Sequence, residues 1–487
     1  MSAYFLRLLK SLGAYQVADV VSKFIAVLLL PLYTRYLASN AYGAVELLAN
    51  GVILISIVAR LGIIEAFLRF YYSDEDPERR DALARRAVLF LLVTTTVAAA
   101  ALAAAASPLS HVILGHQIRH PAQAFLIAVL GVWSFTNLEL AYGLLRVDER
   151  RRTYMVASLA NIALTIAASV VLVVGVKLGA RGLLLGNYGA STVVLLGLWW
   201  TMRGRLLRPR ASGERLRLLL RFGLPTVAAE ASVYLLSIVD RYYLYHQRSA
   251  GVAGLYSIAV KFAGVIAFIV RAFMYAWPPL AYSVTDDDEA ARLYGLVTTY
   301  YVLISGWVVA LLTLESRWLL RLLTTHGYFG AYRAVPWVSL GWAMYGLWVV
   351  LLVIAGRAQV TKRNFPAALA GLIANVVLLV LLVPDYGIAG AGVALCGAYL
   401  AMLAVMHLLV RRAFKAAFEW RRLAHVVVVI GGLTVLGDLA LPTHGALGLI
   451  ERGAIWVAVP AALYVTGFAH SQEVARARSL IARVAAR

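Results

Sequence analysis

Fourteen stretches of this chain are long and apolar enough to cross a bilayer, at 11–36, 42–68, 87–108, 122–145, 154–176, 182–202, 222–246, 252–283, 293–315, 334–355, 365–383, 388–410, 423–441 and 453–469. A span needs about 20 such residues to cross about 30 Å of hydrocarbon. Hydrophobic residues are 62% of the chain and charged ones 14%, with a mean hydropathy of +0.80, far outside the soluble range. The expected fold is therefore an all-α polytopic membrane protein. The segment holding Val27 to Pro31 is too long for a signal-peptide core and no small-residue cleavage site follows it, so it reads as the first span. Cys396 is the single cysteine, which rules out an internal disulfide or a cysteine-based metal cluster and reads as a small buried hydrophobe.

Charge orients the spans. Short cytoplasmic connections collect Lys and Arg, and with the N-terminus inside, thirty-one of the 45 basic residues fall on the cytoplasmic side. Nine lie outside, Arg452 among them. Both termini are expected in the cytoplasm. The net charge of +21 then faces an anionic leaflet and needs no nucleic acid to explain it.

The remaining five basic residues, Lys23, Arg60, Arg241, Lys261 and Arg271, lie within spans. A charge in the apolar part of a span marks a functional site unless it snorkels to the headgroups. Arg60 and Arg271 are 211 positions apart, and an acidic turn follows each, Asp74 to Asp76 and Asp286 to Glu289. At the same offset Arg151-Arg152-Thr153-Tyr154 matches Lys362-Arg363-Asn364-Phe365. Leu159-Ala160-Asn161 has a counterpart 214 positions on in Ile373-Ala374-Asn375, each followed by a glycine series that lets helices approach closely. The chain thus contains two parallel copies of six spans, expected as an N-lobe (1–210) and a C-lobe (211–415), with spans 13 and 14 and the tail (416–487) appended. Six spans per copy keep the orientation, so the copies should be related by an axis along the membrane normal, around a cationic cavity.

The stretches Pro31 to Tyr72, Phe222 to Leu244, Gly251 to Ser283 and Ile373 to Leu395 carry a resemblance. They include Tyr42-Gly43, Pro225, Asp240-Arg241, Gly254, Tyr256 and Pro384 to Gly392, and over roughly residues 1–415 the chain is similar to the polysaccharide-biosynthesis flippases of the multidrug/oligosaccharidyl-lipid/polysaccharide superfamily. That resemblance implies a two-lobed bundle in a bacterial inner membrane that moves an undecaprenyl-diphosphate-linked oligosaccharide, such as an O-antigen or capsule repeat unit, to the outer leaflet by alternating access. Fourteen spans also resemble the lipid II flippase branch, whose extra pair makes a lipid-side groove. A coupling ion, H+ or Na+, and polysaccharide-assembly proteins are the further partners it brings to mind. No cofactor is implied.

Such a cargo calls for fixed cations at the diphosphate and polar or aromatic groups at the sugar. On a continuous span 2, Glu46, Asn50 and Arg60 fall within about 80° of arc, at 100° per residue. Lys261 and Arg271 lie about 80° and about 15 Å apart on span 8. With Lys23 and Tyr256 they form the expected diphosphate and sugar set. Asp19, which can pair with Lys23 at i,i+4, Glu139, Glu230 and the pair Asp240-Arg241 are the gating or coupling candidates. For each, a bland reading stands beside the functional one: snorkelling for the arginines, mutual neutralisation for Asp19 and Lys23, and a hydrogen bond to a neighbouring helix for Glu139 and Glu230.

No Walker loop, His-Glu-x-x-His or nucleophile elbow is present, and the connections are shorter than a membrane glycosyltransferase uses. No metal site is expected, and the chain does not read as an enzyme. The competing reading is a multidrug or small-solute antiporter, whose cavity would be dominated by carboxylates. Span 8, with two cations and no carboxylate, favours an anionic cargo.

Overall fold

The computed structural model describes residues 29–71, 76–206 and 214–468. Asp19, Lys23 and most of the first span lie outside them. The first half contains α1 (Leu30–Tyr36), α2 (Ser39–Ala59), α3 (Ile63–Phe70), α4 (Pro77–Ala104), α5 (Ala106–Leu114), α6 (Pro121–Val147), α7 (Arg151–Val170) and α8 (Ala180–Leu206). The second contains α9 (Glu214–Gln247), α10 (Ala250–Ser283), α11 (Asp287–Leu323), α12 (Val335–Arg357), α13 (Asn364–Val410), α14 (Trp420–Ala440) and α15 (Gly445–Val465).

Among the described residues eleven helices are long and apolar enough to span a bilayer, and α9, bent by 41° between Ser232 and Tyr234, makes a twelfth. As a straight rod the 47 residues of α13 would measure about 70 Å, more than twice the hydrocarbon thickness. The chain instead breaks at Gly387, with φ 55° and ψ −128°, so α13 supplies two spans. Their antiparallel packing follows from two close approaches: a Cβ on Gly390 would lie 2.5 Å from the Leu382 carbonyl, and one on Gly397 would lie 2.2 Å from a Leu378 methyl. The first copy repeats this hairpin. After α7 a π-helical turn, Val171–Gly175, leads into α8, where Cβ atoms on Gly182 and Gly186 would collide with Leu172 and Ser169. The all-helical polytopic architecture expected from hydropathy is the one observed.

Helix starts account for Asp76 and for the second acidic turn; Asp74 and Glu75 lie outside the described residues. Asp76 caps α4, accepting from the Glu78 N–H at 2.9 Å, and Asp286 caps α11, accepting from the Glu289 N–H at 2.8 Å. The carboxylates that follow Asp286 occupy the first turn, where the helix dipole favours them. Arg357 then holds Asp287 at 2.7 Å.

Contacts divide the chain into two compact units, Met1–Ser257 and Ile258–Arg487. The first packs around Phe67, Leu91, Leu144 and Leu195. It also contains a contact between repeat-equivalent residues. A Cβ on Gly43 would lie 1.9 Å from the Ala250 carbonyl, and one on Gly254 2.3 Å from the Ser39 carbonyl. Gly43 and Gly254 are 211 apart, as are Ser39 and Ala250, so α2 and α10 cross with local two-fold symmetry through small residues four apart. Backbone stands in the way on both sides, so neither glycine has room for a methyl group. Gly43→Ala is expected to destabilise by about 1–3 kcal/mol, read as a lower Tm of the purified protein; an unchanged Tm would mean the helices part easily.

In the second unit the appended pair docks on α11. Trp307 and Trp456 stack with centroids 4.5 Å apart, and each indole N–H donates to the other's backbone carbonyl at 3.0 Å. One sequence expectation is corrected here. Arg452, assigned to an outer connection, is fully buried within α15, which begins eight residues before the expected span. Burial is tolerated because its five N–H groups all donate: to Pro442 O, Leu314 O, Asp438 Oδ1, Asp438 O and Leu441 O.

Candidate functional site

Span 2 is broken where its arginine sits. α2 ends at Ala59, Leu61 and Gly62 take φ of 50° and 68°, and α3 begins at Ile63. Glycine accepts that conformation readily, whereas leucine is strained by about 1–2 kcal/mol. Arg60 is the last residue in the helical frame of α2, with φ −76° and its N–H on the Ser56 carbonyl, so the wheel relation to Glu46 and Asn50 holds as far as the break, but the guanidinium goes to carboxylates of other helices.

Arg60 is 7% exposed and is held by carboxylates from three helices. Nη1 donates to Glu139 Oε2 of α6 at 2.8 Å, and Nη2 lies 3.3 Å from Glu65 Oε1 of α3. Nη2 also donates to Glu230 Oε1 of α9. Nε is buried with no hydrogen-bond partner among the described residues. The three glutamate side chains remain 31%, 37% and 40% exposed, so the accessible surface of the cluster is carboxylate and its buried centre is cationic. One guanidinium against three carboxylates leaves a formal charge of −2. Sequence reasoning grouped Arg60, Glu139 and Glu230 only as separate candidates and missed Glu65, which reaches Arg60 because the Leu61-Gly62 break turns α3 back.

A second network joins two of the gating candidates, Asp240 and Arg241, to the substrate candidates Glu46, Asn50 and Tyr256. Asn50 Oδ1 accepts from the Tyr234 hydroxyl at 3.1 Å and from Arg241 Nη1 at 3.3 Å, while Asn50 Nδ2 donates to the Glu46 backbone carbonyl at 2.6 Å. Asp240 is buried. It accepts from the Arg241 backbone N–H at 2.8 Å and from the Tyr256 hydroxyl. Asp240 and Arg241 are therefore linked through backbone, and the guanidinium turns to Asn50. Tyr256 is fully buried with its hydroxyl on Asp240.

Lys261 and Arg271 belong to the second unit, half-buried and exposed respectively, with Arg271 in electrostatic reach of Tyr345 on α12. That unit also encloses a groove of about 980 Å³ between α11, α12, the second half of α13 and α14. Val302, Leu347, Leu403 and Ile430 line its length, and Arg317, Arg333 and Asp438 stand at one mouth. Among the described residues, no group of three His, Cys, Asp or Glu is arranged to hold a metal ion.

One span broken beside an arginine and an appended helix pair beside a groove stand in a bundle of apolar helices, and known proteins match the chain. The sequence matches the family described as polysaccharide biosynthesis protein over residues 8–282. The chain belongs to this family. No curated protein matches it. Among solved structures, it is similar to the lipid II flippase MurJ in an inward-closed conformation, with a TM-score of 0.72 and 12% identity over 94% of this chain and 99% of that one. It is similar as well to an inward-facing multidrug resistance MATE transporter of the MOP superfamily, with a TM-score of 0.66 and 14% identity over 80% and 95%. A third is a MOP superfamily transporter from Pyrococcus furiosus described as having a binding pocket of reversed polarity, at a TM-score of 0.55 and 14% identity over 85% and 93%. At these identities the likeness establishes the fold alone, an all-helical multi-pass membrane fold.

Arg60→Ala would leave three carboxylates facing one another across a partly dry site. The expected cost is about 3 kcal/mol, the low end for a broken buried pair because the glutamates are partly solvated. Adding Glu230→Gln should recover part of it; a double variant no more stable than the additive sum would mean that Arg60 does not organise the carboxylates.

Proposed function

We propose that this protein is a flippase, not an enzyme, that moves a polyprenyl-diphosphate-linked oligosaccharide from the cytoplasmic to the outer leaflet of a bacterial inner membrane, with both termini in the cytoplasm. Family membership carries the reading, and the chemistry of α10 supports it. Between Ala250 and Ser283 that helix has Lys261 and Arg271 and no carboxylate, which suits an anionic group and opposes a cationic drug. The resemblance to a flippase for lipid II points to the same cargo class, a sugar on a lipid diphosphate.

The cargo's parts have different needs. Its sugar cannot cross hydrocarbon unaided, whereas its tail can remain in lipid. Lys261 and Arg271 bind the diphosphate, the polar groups around Asn50 and Glu46 serve the sugar, and the apolar groove beside the appended pair receives the tail. Lys23 of the first span adds a further cation. The lobes 1–210 and 211–415 alternate access, and α14 of the appended segment lines the groove.

In the conformation described, Arg60 is spent on Glu65, Glu139 and Glu230 and does not offer itself to a diphosphate. A proton on Glu139 or Glu230 would weaken that hold and release a guanidinium to the cargo, which makes these residues the coupling pair for a proton-driven cycle. Assembly enzymes of the polysaccharide pathway would meet the basic cytoplasmic connections.

The MATE likeness keeps one alternative, an antiporter for cationic solutes that uses the three glutamates directly. Binding in nanodiscs separates the two. Wild type is expected to bind an undecaprenyl-diphosphate oligosaccharide and to lose about 100-fold in affinity when Lys261→Ala and Arg271→Ala are combined, since each charge-assisted contact is worth about 1.5–3 kcal/mol. Binding of a lipophilic cation that survives this double substitution, with no glycolipid binding in wild type, would transfer the assignment to the antiporter class.

A further inference from the structure

One buried acid belongs to neither network. Glu315 of α11 is 7% exposed, and neither of its oxygens has a hydrogen-bond donor among the described residues. The groups around it are charged. Arg452 of α15 acts on it electrostatically, and the position of a Cβ on Gly453 lies 3.6 Å from Glu315 Oε1. Asp438 of α14 pairs with Arg452 at 2.8 Å and lies 3.6 Å from Arg317. Arg317, two residues along α11, has a buried Nη1 with no hydrogen-bond partner among the described residues and packs 4.7 Å over the Tyr332 ring. Arg333 lies 6.0 Å from the same ring.

A bare carboxylate removed from water costs several kcal/mol unless donors replace the lost hydration. The nearest cation supplies none, because the N–H groups of Arg452 go to Asp438, Leu441, Pro442 and Leu314. In this arrangement Glu315 fits as the neutral acid. Its ionised form has a way out only if Arg452 turns from Asp438 to Glu315, which leaves Asp438 to Arg317, already beside it. With Glu315 ionised the four groups sum to zero, and with it protonated they sum to +1, so each form has one favourable pairing scheme. On the topology proposed above, Glu315 lies about 40 Å from the cytoplasmic start of α11 at 1.5 Å per residue, near the extracytoplasmic water that would supply the proton.

We propose that Glu315 is a proton-binding site, separate from the Arg60 cluster, whose charge selects which carboxylate holds Arg452. The choice matters mechanically. Arg452 also ties the last carbonyls of α14, and Asp438 and Arg317 line the mouth of the groove. Exchange of its partner therefore shifts α14 against α11 and reshapes that mouth.

Two measurements test this, and neither needs a cargo, so they stand or fall apart from the flippase reading. The infrared spectrum of the protein in nanodiscs should contain a protonated-carboxyl carbonyl band that Glu315→Gln removes and Glu315→Asp moves but keeps. A fluorophore placed at Thr434→Cys on the groove wall, in a Cys396→Ser background, should change its emission between acidic and alkaline buffer, and this response should be lost in Glu315→Gln. Spectra identical with and without Glu315 at every pH would overturn the proton site. A pH response that persists unchanged in Glu315→Gln would overturn the exchange of Arg452.

Discussion

A charge placed in hydrocarbon must carry its compensation with it. Four charged centres in this molecule obey that constraint in different ways. Arg60 is surrounded by three carboxylates, and Arg452 is exhausted on carbonyls and Asp438. Asp240 leans on a tyrosine and a backbone N–H. Glu315 is compensated by none of these means, which is why it fits best as a protonated acid. Each solution fixes helices relative to one another: α3, α6 and α9 to the break after α2 in the first case, and α14 and α15 to α11 in the second. The charges that make the protein costly to insert also determine how its helices pack.

The Arg60 cluster inverts a simple view of an intramembrane arginine. Its guanidinium is buried beneath glutamates whose side chains stay 31–40% exposed, so the accessible side presents anions over a cation. Fully ionised, the four groups carry a formal charge of −2, an arrangement that repels an anion and attracts a cation although an arginine lies at its centre.

Much of the fold was legible in the sequence because the bilayer makes hydropathy decisive. The spans follow from runs of apolar residues. The site was legible only in part. Arg60, Glu139 and Glu230 stood out as charges in apolar runs, but their convergence depends on helix packing that no local pattern encodes. Glu65 was hidden because a helical wheel places i+5 away from i, and only the left-handed pair Leu61-Gly62 brings it back. Tyr256 appeared suited to stacking on sugar, since sequence cannot reveal that Asp240 is its partner. Arg452 was placed in a connection because a lone arginine near a span end usually marks an interface, whereas enough carbonyls at the end of α14 allow it to be buried.

The crossing of α2 and α10 at Gly43 and Gly254 has a consequence for the history of the chain. Duplication ordinarily frees one copy of a segment to drift while the other keeps its role. Here equivalent positions press on each other across a local two-fold axis, so a larger residue in either copy strikes the backbone of the other. Neither glycine has that freedom: the two copies can differ in charge and loops, yet at this crossing each is held to the smallest side chain by the backbone of the other.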